Sequence, residues 1–234
     1  MPATSESRPH KRGSGVSHVY ETLRREIISL DLPPGAIIDE QQLSQRFNLS
    51  RTPIREAMVR LTAEGLVTTL PNRATMVSQI DFLNLAQFLD ALSLMYRVTT
   101  RLAAPGHRAA DIAAIRALQE DYRAAVAARD VVAMLEVNRD FHLRIAEAGG
   151  NRHFTEFFAR LLDEGMRLLR IYYSSFHDAL PTRFVDEHDA MIAAIAARDA
   201  DGAERLAAAH ADQIARQIRS HFAEDRRQTP GMAV

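Results

Sequence analysis

Between Pro33 and Val67 the order of turn formers and apolar residues admits few folds: a turn, a short helix, a tight turn, a longer helix and a stop. Pro33-Pro34-Gly35 closes an amphipathic stretch, residues 16–30, in which Val19, Leu23, Ile27 and Leu30 recur on one helical face. A second helix is expected from about Glu40 to Phe47, with Leu43 and Phe47 inward. Asn48 suits the turn after it because Asn tolerates the left-handed conformation. A third helix begins near Ser50 or Thr52, either of which suits a cap, and Pro53 is compatible because first-turn N–H groups have no helical partner. Ile54, Ala57, Met58 and Leu61 form its inner stripe, and Gly65 ends it. Residues 66–70 and 74–77 then read as two strands around Pro71-Asn72-Arg73. Three helices and a hairpin over residues 16–80 make a winged helix-turn-helix.

That stripe leaves Arg51 and Arg55 together on another face, one turn apart. A helix that reads base edges needs short or forked polar side chains at its N-terminal end, with phosphate donors on either side. Arg51 and Arg55 are candidates for bidentate guanine contacts, while Ser50 and Thr52 suit phosphates or thymine methyls. Gln41, at the start of the second helix, and Asn72 or Arg73, at the wing tip, are secondary candidates. A lone arginine pair at this spacing usually only solvates a helix surface; the surrounding helices and wing favour double-stranded DNA. Residues 1–80 hold ten Arg/Lys against eight Asp/Glu, so the placement of the arginines carries the reading, and bulk charge does not.

From about Phe82 onward strand patterns vanish, and helical patterns occupy roughly residues 82–104, 109–128, 130–148, 151–176, 182–198 and 202–223. Six helices with short connections imply an antiparallel bundle. The breaks fall at Pro105-Gly106, Arg129-Asp130, Gly149-Gly150-Asn151, Leu180-Pro181 and residues 199–202. With 47% apolar residues in 234, the chain can fill two modest cores, and its fold class is mainly α. Cysteine is absent, which excludes disulfides and thiolate metal sites and fits a reducing compartment. No stretch approaches the roughly 20 apolar residues needed to cross a bilayer. Residues 1–15 are polar and weakly basic and lack the apolar core of a signal peptide. A cytoplasmic protein with no membrane partner is expected, with a disordered tail at 1–15 and a flexible one at 224–234.

Within the bundle region His142, His188 and His210 stand out. A lone histidine on an amphipathic helix is usually a surface or core-edge residue. On one continuous helix His188 and His210 would lie roughly 33 Å apart at about 1.5 Å per residue. The break at 199–202 lies about equally far from both, so antiparallel packing brings them level. Asn138 sits one turn before His142 on the same face, and an oxygen/nitrogen pair at that spacing can chelate one cation. Asp140 lies near the opposite side. Three nitrogens and an oxygen suit divalent Zn, Ni or Mn, among which such ligands discriminate poorly. His10, His18, His107, His153, His177 and His221 are assigned to tail, loop or helix surface.

The segment LPPGAIIDEQQLSQRFNLSRTPIREAMVRLTAEGLV resembles the N-terminal domain of GntR-type transcriptional regulators. The shared pattern is a PPG, an L-(A/S), an (S/T)-R-T-P-(V/I)-R-E-A and an L-x-x-x-G-L-(V/I). The resemblance covers residues 17–80 and implies DNA contact by Arg51, Thr52 and Arg55, with Ser50, Pro53 and Asn72 nearby. Gln41 stands where many members carry a charged residue. Residues 83–220 resemble the FCD domain of the FadR-type branch, through Asn138-Arg-Asp-Phe-His142, Ala148-Gly-Gly-Asn151, Glu187-His188 and His210. That resemblance implies that Asn138, His142, His188 and His210 bind a divalent metal that helps hold a carboxylate-bearing effector. Two departures bear on the ligand. The first metal ligand is more often Asp in the family, and the neutral carbonyl of Asn138 implies either a weaker metal affinity or more positive charge retained for an anionic effector. The family's E-x-R-x-x-x-E-like pattern in the first bundle helix is replaced by Leu92 and Tyr96 at its last two positions, which points to a more apolar effector pocket. Arg167 and Arg170, on the long helix after Asn151, are candidates for the effector's cationic partner. The expectation is a ligand-responsive regulator, homodimeric on a pseudo-palindromic operator and sensing a small carboxylate. The other readings are a metal-free bundle serving only dimerisation and, more remotely, a metal-dependent hydrolase, for which no general base is identifiable.

Overall fold

The computed structural model describes residues 14–70 and 74–228, with side chains as far as His221. The expectations for residues 1–13, for the wing-tip pair Asn72 and Arg73, and for residues 229–234 lie outside the described residues. The chain divides into two units between Gln79 and Ile80.

In the first unit α1 (Ser14–Ile28) precedes β1 (Ile37–Ile38), α2 (Glu40–Phe47), α3 (Arg51–Ala63), β2 (Val67–Thr69) and β3 (Thr75–Val77). Asp39 starts α2 by accepting the N–H groups of Gln41 and Gln42 at 2.6 and 3.1 Å. Asn48, at φ 52°, ends it in the left-handed conformation the sequence suggested. Ser50 occupies the N-cap position of α3, but neither it nor Thr52 acts as the expected cap: the Ser50 hydroxyl makes no capping bond and Thr52 lies inside the first turn. At the other end Gly65, at φ 73°, lets the Leu66 N–H reach the Leu61 carbonyl at 3.0 Å, which closes the helix. The core joins Val19, Leu23 and Ile27 of α1 to Ile54, Ala57 and Leu61 of α3, all fully buried. Each large aliphatic side chain among them contributes about 1.5–3 kcal/mol by leaving water.

The sheet has the order β1-β3-β2, with both pairs antiparallel. Strand β1 was not expected, because two residues carry no readable alternation. It exists because Gly35, at φ 82°, turns the chain so that its N–H meets the Val77 carbonyl at 2.9 Å, while Ala36 accepts the Val77 N–H at 2.9 Å.

The second unit comprises α4 (Leu85–Gly106), α5 (Ala109–Ala128), α6 (Val131–Ala148), α7 (Arg152–Ser174), α8 (Arg183–Ala196) and α9 (Ala200–Gln228). An Ala203, Ala207, Ala211 stripe on α9 lies buried in a core shared with Met95, Ala103 and Ala104 of α4; small residues there let the two backbones approach. Three boundaries differ from the expectation. Pro105 lies inside the last turn of α4, whose free carbonyls are taken up otherwise. His107 Nδ1 bonds the carbonyls of Ala103 and Ala104 at 3.1 and 2.9 Å, and Arg198 donates to the Pro105 carbonyl at 2.7 Å. His107 is therefore a buried capping residue and not the surface residue expected. The chain reverses before α9 at Arg198, in the left-handed region at φ 60°. Gly202 belongs to α9, where the Asp199 carboxylate accepting its N–H at 2.8 Å leaves no room for a side chain. Finally, α9 runs on through Gln228, past the point where a flexible tail was expected.

Candidate functional site

On the first unit Arg51, Thr52 and Arg55 of α3 are exposed together with Ser50 and Gln41, while Pro53 is half-buried. The buried stripe Ile54, Ala57, Met58, Leu61 fixes which face of α3 turns outward. Arg55 Nε donates to Glu40 at 2.8 Å, and the Arg55 side chain is still 63% exposed. With no side-chain cap, the first N–H groups of α3 remain open to an anion such as a backbone phosphate.

In the second unit antiparallel packing of α8 against α9 brings His188 and His210 level, with ring centroids 5.0 Å apart. His142 from α6 completes the group at 4.9 Å from His188 and 5.4 Å from His210. One ring nitrogen from each lies within 4.8 Å of the others, and all three residues are buried. Their orientation is set from outside the cluster. The Gln119 carbonyl oxygen on α5 takes the His188 Nδ1–H at 3.0 Å, and the Gln119 amide donates to the Val185 carbonyl and to Asp189 at 2.9 and 3.1 Å. Glu187 takes the His210 Nδ1–H at 2.8 Å. Each ring so held donates through Nδ1, which leaves Nε2 as the nitrogen available to a cation. Phe141 stacks on His188 at 4.3 Å and 12°. Burial, reinforced by the neighbouring histidines, pushes His142 and His188 well below the ordinary histidine range, so both are neutral at pH 7.

The Nε2 atoms of His142 and His210 are buried with no hydrogen-bond partner. An orphaned buried acceptor costs roughly 1–3 kcal/mol, and two of them converging with a third imidazole is the arrangement a divalent cation relieves. The donor set fits such an ion: three buried imidazoles, with the Asn138 side chain one turn before His142. Asn138 is 4% exposed and is hydrogen-bonded to the Tyr96 hydroxyl. The Tyr96 ring in turn packs edge-on against His142 at 4.6 Å and against His210 at 5.7 Å.

Tyr96 and Asn138 also form part of the wall of a cavity of about 30 Å³. Leu92 lines it as well, so three residues singled out in the sequence meet there. Arg167 and Arg170 do not line it. Arg167 is buried, which pushes its guanidinium pKa down, and Arg170 is held by Asp178 at 2.8 Å. The cation in the wall is Arg139, bonded to Asp163 and Asp140 at 2.9 Å each. Sequence reasoning passed over it, although it follows Asn138 and lies one turn from the buried Leu135. Gln119 was missed too, since its partner His188 is 69 residues away.

A winged helix-turn-helix carried on the same chain as a helical bundle with a buried ligand-type cluster is the build of a two-domain DNA-binding regulator. Residues 16–77 match the bacterial regulatory proteins of the gntR family and residues 87–213 match the FCD domain. The chain belongs to the GntR family, in its FCD-bearing form, and is a DNA-binding transcriptional regulator and not an enzyme. It is 25% identical to the HTH-type transcriptional repressor RspR of Escherichia coli K12, over 86% of this chain and 87% of that one. To the HTH-type transcriptional regulator LutR of Bacillus subtilis 168 it is 26% identical, over 83% and 97%. The solved structure of E. coli McbR/YncC shares the fold, with a TM-score of 0.74 at 22% identity and coverage of 89% and 99%. Among the described residues no helix is long and apolar enough to cross a membrane.

Proposed function

We propose that this regulator acts in the cytoplasm as a homodimer on a pseudo-palindromic operator and senses a small carboxylate through a divalent metal held by Asn138, His142, His188 and His210. The observation that carries the sensing half is the pair of buried, partnerless Nε2 atoms of His142 and His210, in a cluster where Gln119 and Glu187 already engage the Nδ1 atoms of His188 and His210. When bound, a divalent ion supplies positive charge and a coordination position open to a carboxylate oxygen. The chain's own part is to keep His142 and His188 neutral by burial and to orient His188 and His210 through Gln119 and Glu187. Asn138, which brings no charge, leaves the ion's charge undiminished for the effector.

On the DNA side Arg51 and Arg55 read bases, with Ser50, Thr52 and the open N-terminus of α3 on phosphates and with Gln41, Pro53, Asn72 and Arg73 alongside. One reading helix covers one half-site, so a palindrome calls for two copies. The effector alters DNA affinity only as far as it binds one arrangement of the two DNA-binding units more tightly than another.

Two measurements test this. Metal-stripped protein titrated calorimetrically with zinc, nickel or manganese is expected to take up one ion per chain, and His188→Ala to lose that binding; substoichiometric uptake by the wild type sinks the metal reading. In gel shifts Arg55→Ala is expected to lose roughly 1–3 kcal/mol of specific operator affinity, at least about fivefold. Unchanged affinity removes Arg55 from the interface.

A further inference from the structure

We propose that the effector is an amphipathic monocarboxylate with an unbranched apolar tail, its carboxylate at the histidine end of the cavity and its tail running away between α4, α6 and α9. This rests on the metal-centred sensing proposed above and adds the chemical class of what is sensed.

Helical periodicity supplies the tail's path. Tyr96, His142 and His210 form one level, as their ring contacts show. One and two turns further along the same faces come Leu92 and Leu89 on α4, Leu135 on α6, and Ile214 and Ile218 on α9, all of which line the cavity. Seven residues from Tyr96 back to Leu89 span about 10 Å at ~1.5 Å each, the reach of an extended octanoate chain. The wall's polar side chains are Tyr96, Asn138 and Arg139, and of these Tyr96 packs on His142 and His210 and is bonded to Asn138.

Charge decides the number of carboxylates. Among the described residues lining the cavity Arg139 is the cation, and its guanidinium is already matched by two carboxylates, Asp163 and Asp140. A second acidic group on a ligand would meet leucine and isoleucine there, with no cation left for it, and burying an unpaired charge is prohibitive. The free space of about 30 Å³ holds roughly two waters, so the tail enters by parting the half-buried Phe88 and Leu92.

Calorimetric titration of the zinc-loaded full-length protein with acetate, butyrate, hexanoate, octanoate, succinate and citrate tests this. Affinity is expected to rise about fourfold per methylene, up to hexanoate or octanoate, with succinate and citrate no tighter than butyrate. Affinity independent of chain length, or citrate tighter than octanoate, overturns the tail while leaving metal-centred sensing in place. If none of the six binds zinc-loaded protein, both readings fall. Two variants sharpen the result. Ile218→Phe shortens the far end and is expected to move the optimum to a shorter acid; Leu92→Arg adds a cation without a partner and is expected to raise succinate relative to butyrate. A folded variant with an unmoved optimum or ratio also overturns the proposal.

Discussion

Replacing Asn138 by Asp adds one ionisable oxygen at nearly constant shape, and its effect should reverse sign with metal. Asn138 is 4% exposed, beside Tyr96 and the buried histidines, two of which are held neutral by burial. Without metal a carboxylate there is desolvated and unpaired, so it stays protonated. Holding a group of unfolded pKa about 3.9 protonated at pH 7 costs about 1.36 kcal/mol per pH unit, or about 4 kcal/mol as the upper bound. The folded state then binds more protons than the unfolded one, so the penalty is absent below about pH 3.9 and grows as pH rises toward the folded pKa. At pH 5 it is at most about 1.5 kcal/mol. A bound divalent cation ionises the carboxyl, and the penalty disappears. Metal-free Asn138→Asp is therefore expected to lose about 2–4 kcal/mol at pH 7, to lose less at pH 5, and to gain more stability from zinc than the wild type does. Urea unfolding followed by tyrosine emission suits the measurement, since the chain has no tryptophan and four of its five tyrosines, Tyr96, Tyr122, Tyr172 and Tyr173, lie in the bundle. A metal-free variant as stable as wild type at pH 7, or a deficit that does not shrink at pH 5, would show that this position is neither dry nor set to face a cation.

Gln119→Leu removes the acceptor that holds the His188 Nδ1–H; metal affinity is expected to fall about 10–100-fold while operator binding by the metal-free protein is unchanged, and an unaltered metal isotherm refutes the role. Asp111 is held down to about 2, chiefly by its hydrogen bonds to the Arg108 side chain and backbone, with Arg144 on α6 also bonded at 2.7 Å. Because its folded pKa is depressed, its stabilisation is complete above the unfolded value near 3.9 and is lost as pH falls through about 2. Asp111→Asn should accordingly be less stable than wild type at pH 7, with the gap closing by pH 2 in acid-unfolding curves; a gap independent of pH refutes the assignment.

Much of the reading helix was legible in the sequence because its determinants are local. The stripe Ile54, Ala57, Met58, Leu61 declares its buried face by spacing alone, and Asn48 and Gly65 mark turns that need positive φ. The two-residue β1 was illegible, since its cause is a hydrogen-bonded pairing with Val77 some forty residues away. In the bundle the near-symmetric placing of His188 and His210 about a chain reversal was readable, although the reversal turns on Arg198, just before the expected 199–202, and Gly202 lies in α9. Arg139 at the cavity and Gln119 behind His188 carry no local mark, because each depends on what another helix brings near, whereas the His107 cap is local, made to carbonyls three and four residues back, and is simply not declared by apolar spacing.

By itself the sequence determined which stretches are helical, which face of the reading helix is apolar, and that two arginines on that short helix turn away from a core. These follow from periodicity and from backbone preferences that act within a few residues. Tertiary structure alone decided that the three histidines the sequence grouped are fully buried, that two of their nitrogens are left without partners, and that the arginine in the neighbouring cavity wall is already neutralised. Those properties depend on which helix faces meet, and side chains far apart along the chain acquire shared burial and charge only once the helices pack.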